Sequence, residues 1–268
     1  MLLFPNSKIN LGLNIVEKRP DGFHNIETIF YPVGLSDALE MIISGDGKSG
    51  FNQTGLSIEG NPDENLCVKA YRLLATDFSL APVRMHLHKV IPMGAGLGGG
   101  SSDGAATIKL ANKLFSLGLS NTRMAEYAGK LGSDCAFFIE NKPVFAFEIG
   151  DRFNPVTVDL SAFTLVIVVP PIHVNTKDAY SVITPSNLEN SLKDIVVQPV
   201  HQWKDHLKND FERSVFSRYP RIPEIKQQLY DQGAVFASMS GSGSSVYGIF
   251  KKDKIPLESF RNCFVWVQ

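Results

Sequence analysis

Apolar and polar or small residues alternate along 9–16 (INLGLNIV) and again along 37–43 (DALEMII), the period-two pattern of strands with one face on a core. Pro20 and the Asp21, Gly22 pair lie between them and mark a tight turn, so the early chain reads as strand, turn, strand. Along 65–78 (NLCVKAYRLLATDF) the period changes. Apolar residues fall at 66, 68, 70, 73, 74 and 78, close to a 3.6-residue repeat after a Pro62, Asp63 start signal, which predicts a helix. Alternation returns over 83–91 (VRMHLHKVI) and runs straight into a stretch dense in glycine. Beyond it, 103–118 (DGAATIKLANKLFSLG) places Ala105, Ile108, Ala111, Leu114 and Phe115 on one helical face and stops at Gly118. The glycines therefore join a strand to the start of a helix.

Farther along, 121–132 reads as a helix, 143–150 as a strand, and the apolar run 163–171 (FTLVIVVPP) as a buried strand that opens a second domain. Thr176 is placed as a helix N-cap. Helices follow over 209–219 and 223–233, the latter closed by Gly233, and 234–250 reads as strand, small-residue turn, strand. A length of 268 residues suits two domains, drawn here as 1–150 and 151–268, of α+β class.

Composition narrows the function. With 44% hydrophobic and 20% charged residues the chain is an ordinary globular protein. A net charge of −1 lacks the basic footprint of non-specific nucleic-acid binding, while leaving room for a local anion pocket. The start MLLFPNSKIN has no basic leader region, and no run reaches the ~18 apolar residues of a membrane span, so a cytoplasmic protein is expected. Cys67, Cys135 and Cys263 are far apart and odd in number, which reads as reduced, largely buried thiols rather than a metal or disulfide set.

The stretch PMGAGLGGGSSDGAAT, 92–107, carries five glycines: Gly94, Gly96, Gly98, Gly99 and Gly100. Each costs roughly 0.5–1 kcal/mol to order relative to alanine, more than a plain turn requires. A glycine loop delivered into a helix N-terminus can wrap backbone N–H groups around phosphate oxygens where the helix dipole is positive. Gly94, Gly96 and Gly99 fit GxGxxG, but the acidic residue expected about 20 positions later is missing from 114–121, which disfavours a dinucleotide fold. No lysine follows the last glycine, so it is not a Walker loop.

Pro92, Gly96, Leu97, Gly98, Gly100, Ser101 and Ser102 instead spell PxxxGLGxGSS, which resembles the signature of the GHMP kinase superfamily. SKINLGLNI near the start and SMSGSGSSVYGIF near the end resemble that family's two other motifs, in the same order. The details RPDGFHNIETIF, DENLCVKA and LGSDCAFFI are most similar to the branch that phosphorylates CDP-linked methylerythritol for non-mevalonate isoprenoid synthesis.

The resemblance implies a ribosomal protein S5 domain 2-like N-terminal domain that binds ATP and a ferredoxin-like C-terminal, substrate-side domain. ATP and Mg²⁺ are the implied cofactors, with no all-protein metal site, and the enzyme would be a monomer or homodimer acting on a small molecule. By the same resemblance Asp134 accepts the hydroxyl proton and Lys8 is its cationic partner. Pro92, Met93, Gly94, Ala95, Gly96, Leu97, Gly98, Gly99, Gly100, Ser101 and Ser102 would hold the triphosphate, and Asn65 and Lys89 would lie near the adenosine. Phe23, in place of the family's usual Tyr, and Tyr180 would sandwich the cytosine while His24 reads its edge; Asn10 and Thr176 complete the substrate set. The turn over 240–245 would support the phosphates. Two other readings stay open: a kinase of this family for another small alcohol, such as homoserine or mevalonate, and a non-catalytic nucleotide-binding protein.

Overall fold

The computed structural model describes residues 1–58, 60–180, 191–252 and 260–268. The chain opens on β1 (Leu2–Leu3) and β2 (Asn6–Lys18) and returns as β3 (His24–Ser36). The turn between β2 and β3 is built by Asp21, whose Oδ1 accepts the Phe23 N–H at 3.1 Å while Arg19 grips the same carboxylate at 2.9 Å. Gly22 supplies the positive φ, +88°. The return strand is thus 24–36, not 37–43. Stretches of β3 are buried on both faces, which erases the alternation that marks the other strands.

The segment expected in that hairpin, β4 (Ala38–Ile43), joins a different sheet together with β5 (Gly50–Gly55). A short 3₁₀ turn (Pro62–Glu64) leads into α1 (Leu66–Phe78), capped by Asn65, whose side chain accepts the Cys67 N–H at 2.9 Å. Strict alternation carries β6 (Val83–Lys89). Helix α2 (Gly99–Leu114) starts earlier than the expected 103, because Gly98 turns the chain at φ +69° and the last two glycines are taken into the first turn. It also stops before Gly118, since Ser116 already adopts the left-handed region at φ +53°. Ser120 caps α3 (Asn121–Gly129), and a 3₁₀ turn (Ser133–Cys135) precedes α4 (Phe137–Glu140).

There follow β7 (Val144–Phe147), β8 (Arg152–Pro155), β9 (Phe163–Val169) and α5 (Thr176–Tyr180). Helix α5 begins at Thr176 itself, so Asn175 takes the cap position: its carbonyl accepts the Asp178 N–H at 2.9 Å. Then come α6 (Leu192–Val196), α7 (Trp203–His206), α8 (Phe211–Arg218), α9 (Arg221–Asp231), the hairpin β10 (Phe236–Met239) and β11 (Val246–Lys251), and β12 (Phe264–Val267).

The chain packs as two compact units that do not follow a single cut at 150: 1–7, 34–93 and 98–142 form one, and 8–33, 94–97 and 143–268 the other. In the first, the sheet β1-β4-β6-β5 buries Leu39, Met41, Met85 and Leu87. Helices α1 and α2 approach so closely there that a Cβ on Gly104 would lie 3.2 Å from the Leu66 Cβ. In the second, the antiparallel sheet β10-β11-β9-β12 packs Val166, Val168 and Val246 with Ile222, Ile225 and Leu229 of α9. A third sheet has the order β2-β3-β7-β8. No helix among the described residues is long and apolar enough to cross a membrane.

Candidate active site

In the first unit, β6 ends at Lys89 and α2 begins at Gly99, so the glycine stretch spans the interval. Gly98 at the N-cap has no side chain to occupy the first-turn N–H groups, and these donors with the helix dipole face whatever the loop encloses. Beside them lies a cleft of about 340 Å³ whose wall includes Gln53, Asn61, Asn65, Met93, Gly100 and Asp103. Met93 is exposed, and a Cβ on Gly100 would meet only the Leu66 and Met93 side chains at 4.0 Å. Asn65, Met93 and Gly100 therefore stand where a nucleoside could lie.

Lys89 does not. Its ammonium is fully buried and donates to Asp37 Oδ2 at 2.5 Å and Asp103 Oδ2 at 2.6 Å, so it has no free surface on the cleft, although Asp103 lines that cleft. A lysine without exposed surface, bridging two carboxylates, lies instead beneath Gly99 at the start of α2. Burial alone would lower its pKa, but Asp103 and Asp37 together raise it.

In the second unit, residues 94–97 rest on the turn over 240–245. Ser240 Oγ donates to the Gly96 carbonyl at 2.9 Å, and Ser245 N–H donates to the Ala95 carbonyl at 3.1 Å. Gly94 and Gly96 hold positive φ, +64° and +77°. The backbone N–H of Lys8 donates to the Leu97 carbonyl at 2.9 Å, pinning β2 to the loop. The Lys8 ammonium, buried, donates to Asn10 Oδ1 at 2.6 Å and lies 4.7 Å from the Phe30 ring centroid. Asn10 is fixed in turn: its Nδ2 donates to Thr28 Oγ1 at 2.9 Å, its N–H to Ser240 Oγ at 3.1 Å, and its carbonyl accepts from Tyr247 Oη at 2.9 Å.

Asp134, half-buried, sits in the 3₁₀ turn Ser133–Cys135 of the first unit. Cys135, buried on the same turn, has its thiol pushed up to about 11 by that burial. Lys8 is thus attached, within its own unit, to the glycine stretch. Ser102 is buried in the first turn of α2.

His24 and Tyr180 are brought together, with ring centroids 4.8 Å apart and planes at 24°. Tyr180 also meets Phe211 edge-on at 4.7 Å. The stack pairs Tyr180 with His24 and leaves no gap for a base between them, whereas Phe23 projects from the turn with 62% of its surface exposed. Burial, then the nearby Lys18, lowers the His24 pKa, favouring the neutral ring. The side chain of Thr176 lies outside the described residues.

Sequence reasoning missed Asp37 and Asp103 as the partners of Lys89. The available signal was the alternation of β6, which turns Lys89 inward with Val83, Met85 and Leu87 and so demands buried carboxylates.

Comparison with known proteins agrees with this geometry. The family model for the GHMP kinases N terminal domain matches residues 65–142, and that for GHMP kinases C terminal matches 192–261. The chain belongs to the GHMP kinases, whose two-domain fold it shares and whose members use ATP. Within them it is similar to proteins named 4-diphosphocytidyl-2-C-methyl-D-erythritol kinase. The one from Bacteroides fragilis is 54% identical over 267 residues, covering 98% of this chain and 97% of that protein. That from Bacteroides thetaiotaomicron is 54% identical over 255 residues, covering 94% and 93%. A crystal structure of 4-(cytidine 5'-diphospho)-2C-methyl-D-erythritol kinase superposes with a TM-score of 0.80 at 29% identity, covering 93% of this chain and 90% of that one.

Proposed function

We propose that this chain transfers the γ-phosphoryl group of ATP to the 2-hydroxyl of 4-diphosphocytidyl-2-C-methyl-D-erythritol, a step of non-mevalonate isoprenoid precursor synthesis. The observation that carries it is the identity of 54% over nearly the whole chain with kinases of that name. The local geometry supports it, since Lys8 is tied to the glycine stretch at Leu97.

Phosphoryl transfer asks mainly for positioning and charge stabilisation. The loop and the start of α2 would cradle the phosphates, with the adenosine in the cleft by Asn65. Lys8, aimed by its bond to Asn10, supplies positive charge to the transferring group, and Asp134 accepts the hydroxyl proton. Tyr180, His24 and the exposed Phe23 would hold the cytosine, with Asn10 and Thr176 nearby in the substrate set.

Mg²⁺ suits the donors present. It is bound through one or two carboxylates plus substrate phosphates, and the Asp134 carboxylate and Ser101 hydroxyl are oxygen donors of the first unit. When bound with ATP it would neutralise charge on the phosphates. We place the enzyme in the cytoplasm, as a monomer or homodimer with a small-molecule substrate and neither nucleic acid nor membrane as partner.

The test is a coupled ADP-release assay with the CDP-linked acceptor beside homoserine and mevalonate. Turnover with the first is expected, and Asp134→Asn should lower kcat by about 10²–10⁴-fold. Turnover of another acceptor alone would sink the substrate, and near-normal turnover by Asp134→Asn would sink its role.

A further inference from the structure

The first unit buries three ionisable groups in one place. Lys89 Nζ bridges Asp37 Oδ2 at 2.5 Å and Asp103 Oδ2 at 2.6 Å, with side-chain exposures of 0%, 0% and 2%. Such a cluster is a poor way to gain stability, because removing ionisable groups from water costs more than most geometries return and apolar groups of equal volume often do as well. The strain is visible: Asp103 Oδ1 is buried without a hydrogen-bond partner. Burial first, and the charge of Asp37 second, push the Asp103 carboxyl up to about 8 against the pull of Lys89.

What apolar groups could not do is hold backbone, and there the cluster is specific. Asp37 Oδ1 accepts the N–H groups of Val90 at 2.6 Å and Ile91 at 2.8 Å, the two residues before Pro92. Asp103 stands on α2 just after Ser101 and Ser102 and forms part of the cleft wall. The ammonium between them lies directly under Gly99: a Cβ there would be 3.0 Å from Lys89 Nζ. One cluster therefore grips the chain where it enters the glycine stretch and where it leaves it.

We propose that Lys89, Asp37 and Asp103 act together as positioning residues for the nucleotide, setting the start of α2 against the end of β6 so that the loop is preformed for the triphosphate. This rests on the reading of the loop as the ATP site. Preorganised donors spare a ligand the cost of ordering them, so loosening the cluster should weaken ATP binding while leaving the acceptor's KM unchanged.

The test measures the Kd of Mg-ATP by calorimetry without acceptor, then KM for each substrate, kcat and the melting temperature. Asp103→Ala, which frees α2 from Lys89, should raise the Kd and KM for ATP about tenfold with kcat within about threefold of the parent. Asp103→Asn keeps an acceptor for Lys89 and should recover most of the loss. Should Asp103→Ala not fold, the apolar replacement Lys89→Met/Asp37→Asn/Asp103→Leu removes the charges together and should show the same ATP-selective loss. A lower melting temperature with ATP affinity unchanged would overturn the proposal, as would Asp103→Asn as weak as Asp103→Ala. A parent that binds ATP but does not turn over the CDP-linked acceptor would sink only the proposed reaction, and one that does not bind ATP would overturn both.

Discussion

Gly96→Ala probes what the glycine stretch is shaped against. Gly96 has φ +77°, and its ideal Cβ would lie 2.0 Å from the Ser240 carbonyl oxygen and 3.0 Å from its carbon. Both are backbone atoms, so no side chain can swing aside. An L-residue in the left-handed region costs about 1–2 kcal/mol. Overpacking adds about 1–3 kcal/mol as the loop is pushed off its support. The sum, about 2–5 kcal/mol, should lower the melting temperature by about 5–15 °C in a chain of this size. Moving the loop also strains the bonds of Ser240 Oγ to Gly96 and of Lys8 N–H to Leu97, so KM for ATP should rise as well. Gly118→Ala is the control: φ is +68°, but nothing lies within 4 Å of its Cβ, so only the backbone cost applies. Differential scanning fluorimetry and ATP titrations on both variants decide the matter. Equal melting shifts with equal KM for ATP would refute the view that Ser240 dictates the glycine.

Tyr180→Ala removes the ring on which His24 stacks, a pair worth about 0.5–1.5 kcal/mol, and should raise the acceptor's KM by about 3–10-fold while ATP kinetics stay level. An ATP-side defect would contradict the assignment. Asp103 gives a pH signature: its folded pKa is raised from 3.8 to about 8, so the folded state holds a proton that the unfolded chain releases. Its contribution to stability is fully present below the unfolded value and is lost as pH rises to about 8, so the melting temperature of Asp103→Asn should gain on the parent between pH 5 and 8. A constant offset across that range would show that Asp103 does not titrate there.

Helices and strands with one buried face were legible, because a period of 3.6 or 2 survives in the residues themselves: α1, β6 and α9 lie close to where the pattern puts them. β3 escaped because burial on both faces removes the period, and β12 because four residues carry too little of one. The glycine loop points to phosphate, and the motif match proposes Lys8 and Asp134 as the catalytic pair. What holds them was hidden, since Asn10 meets Ser240 across 230 positions and Lys89 meets Asp37 across 52. No local pattern encodes such a partner.

The five glycines of the loop answer to different demands. Gly94, Gly96 and Gly98 need positive φ, a backbone requirement that any sequence reader would guess. Gly99 has no such need; it is glycine because Lys89 Nζ and the Ile91 side chain fill the space where a Cβ would stand. Gly100 has neither constraint, and a Cβ there would project toward the cleft. A loop that spent glycine only on turning would have kept three. The last two are explained by what lies on either side of the helix start, a buried ammonium beneath one and the cleft before the other, so the proposed nucleotide site and the buried cluster meet at the first turn of α2.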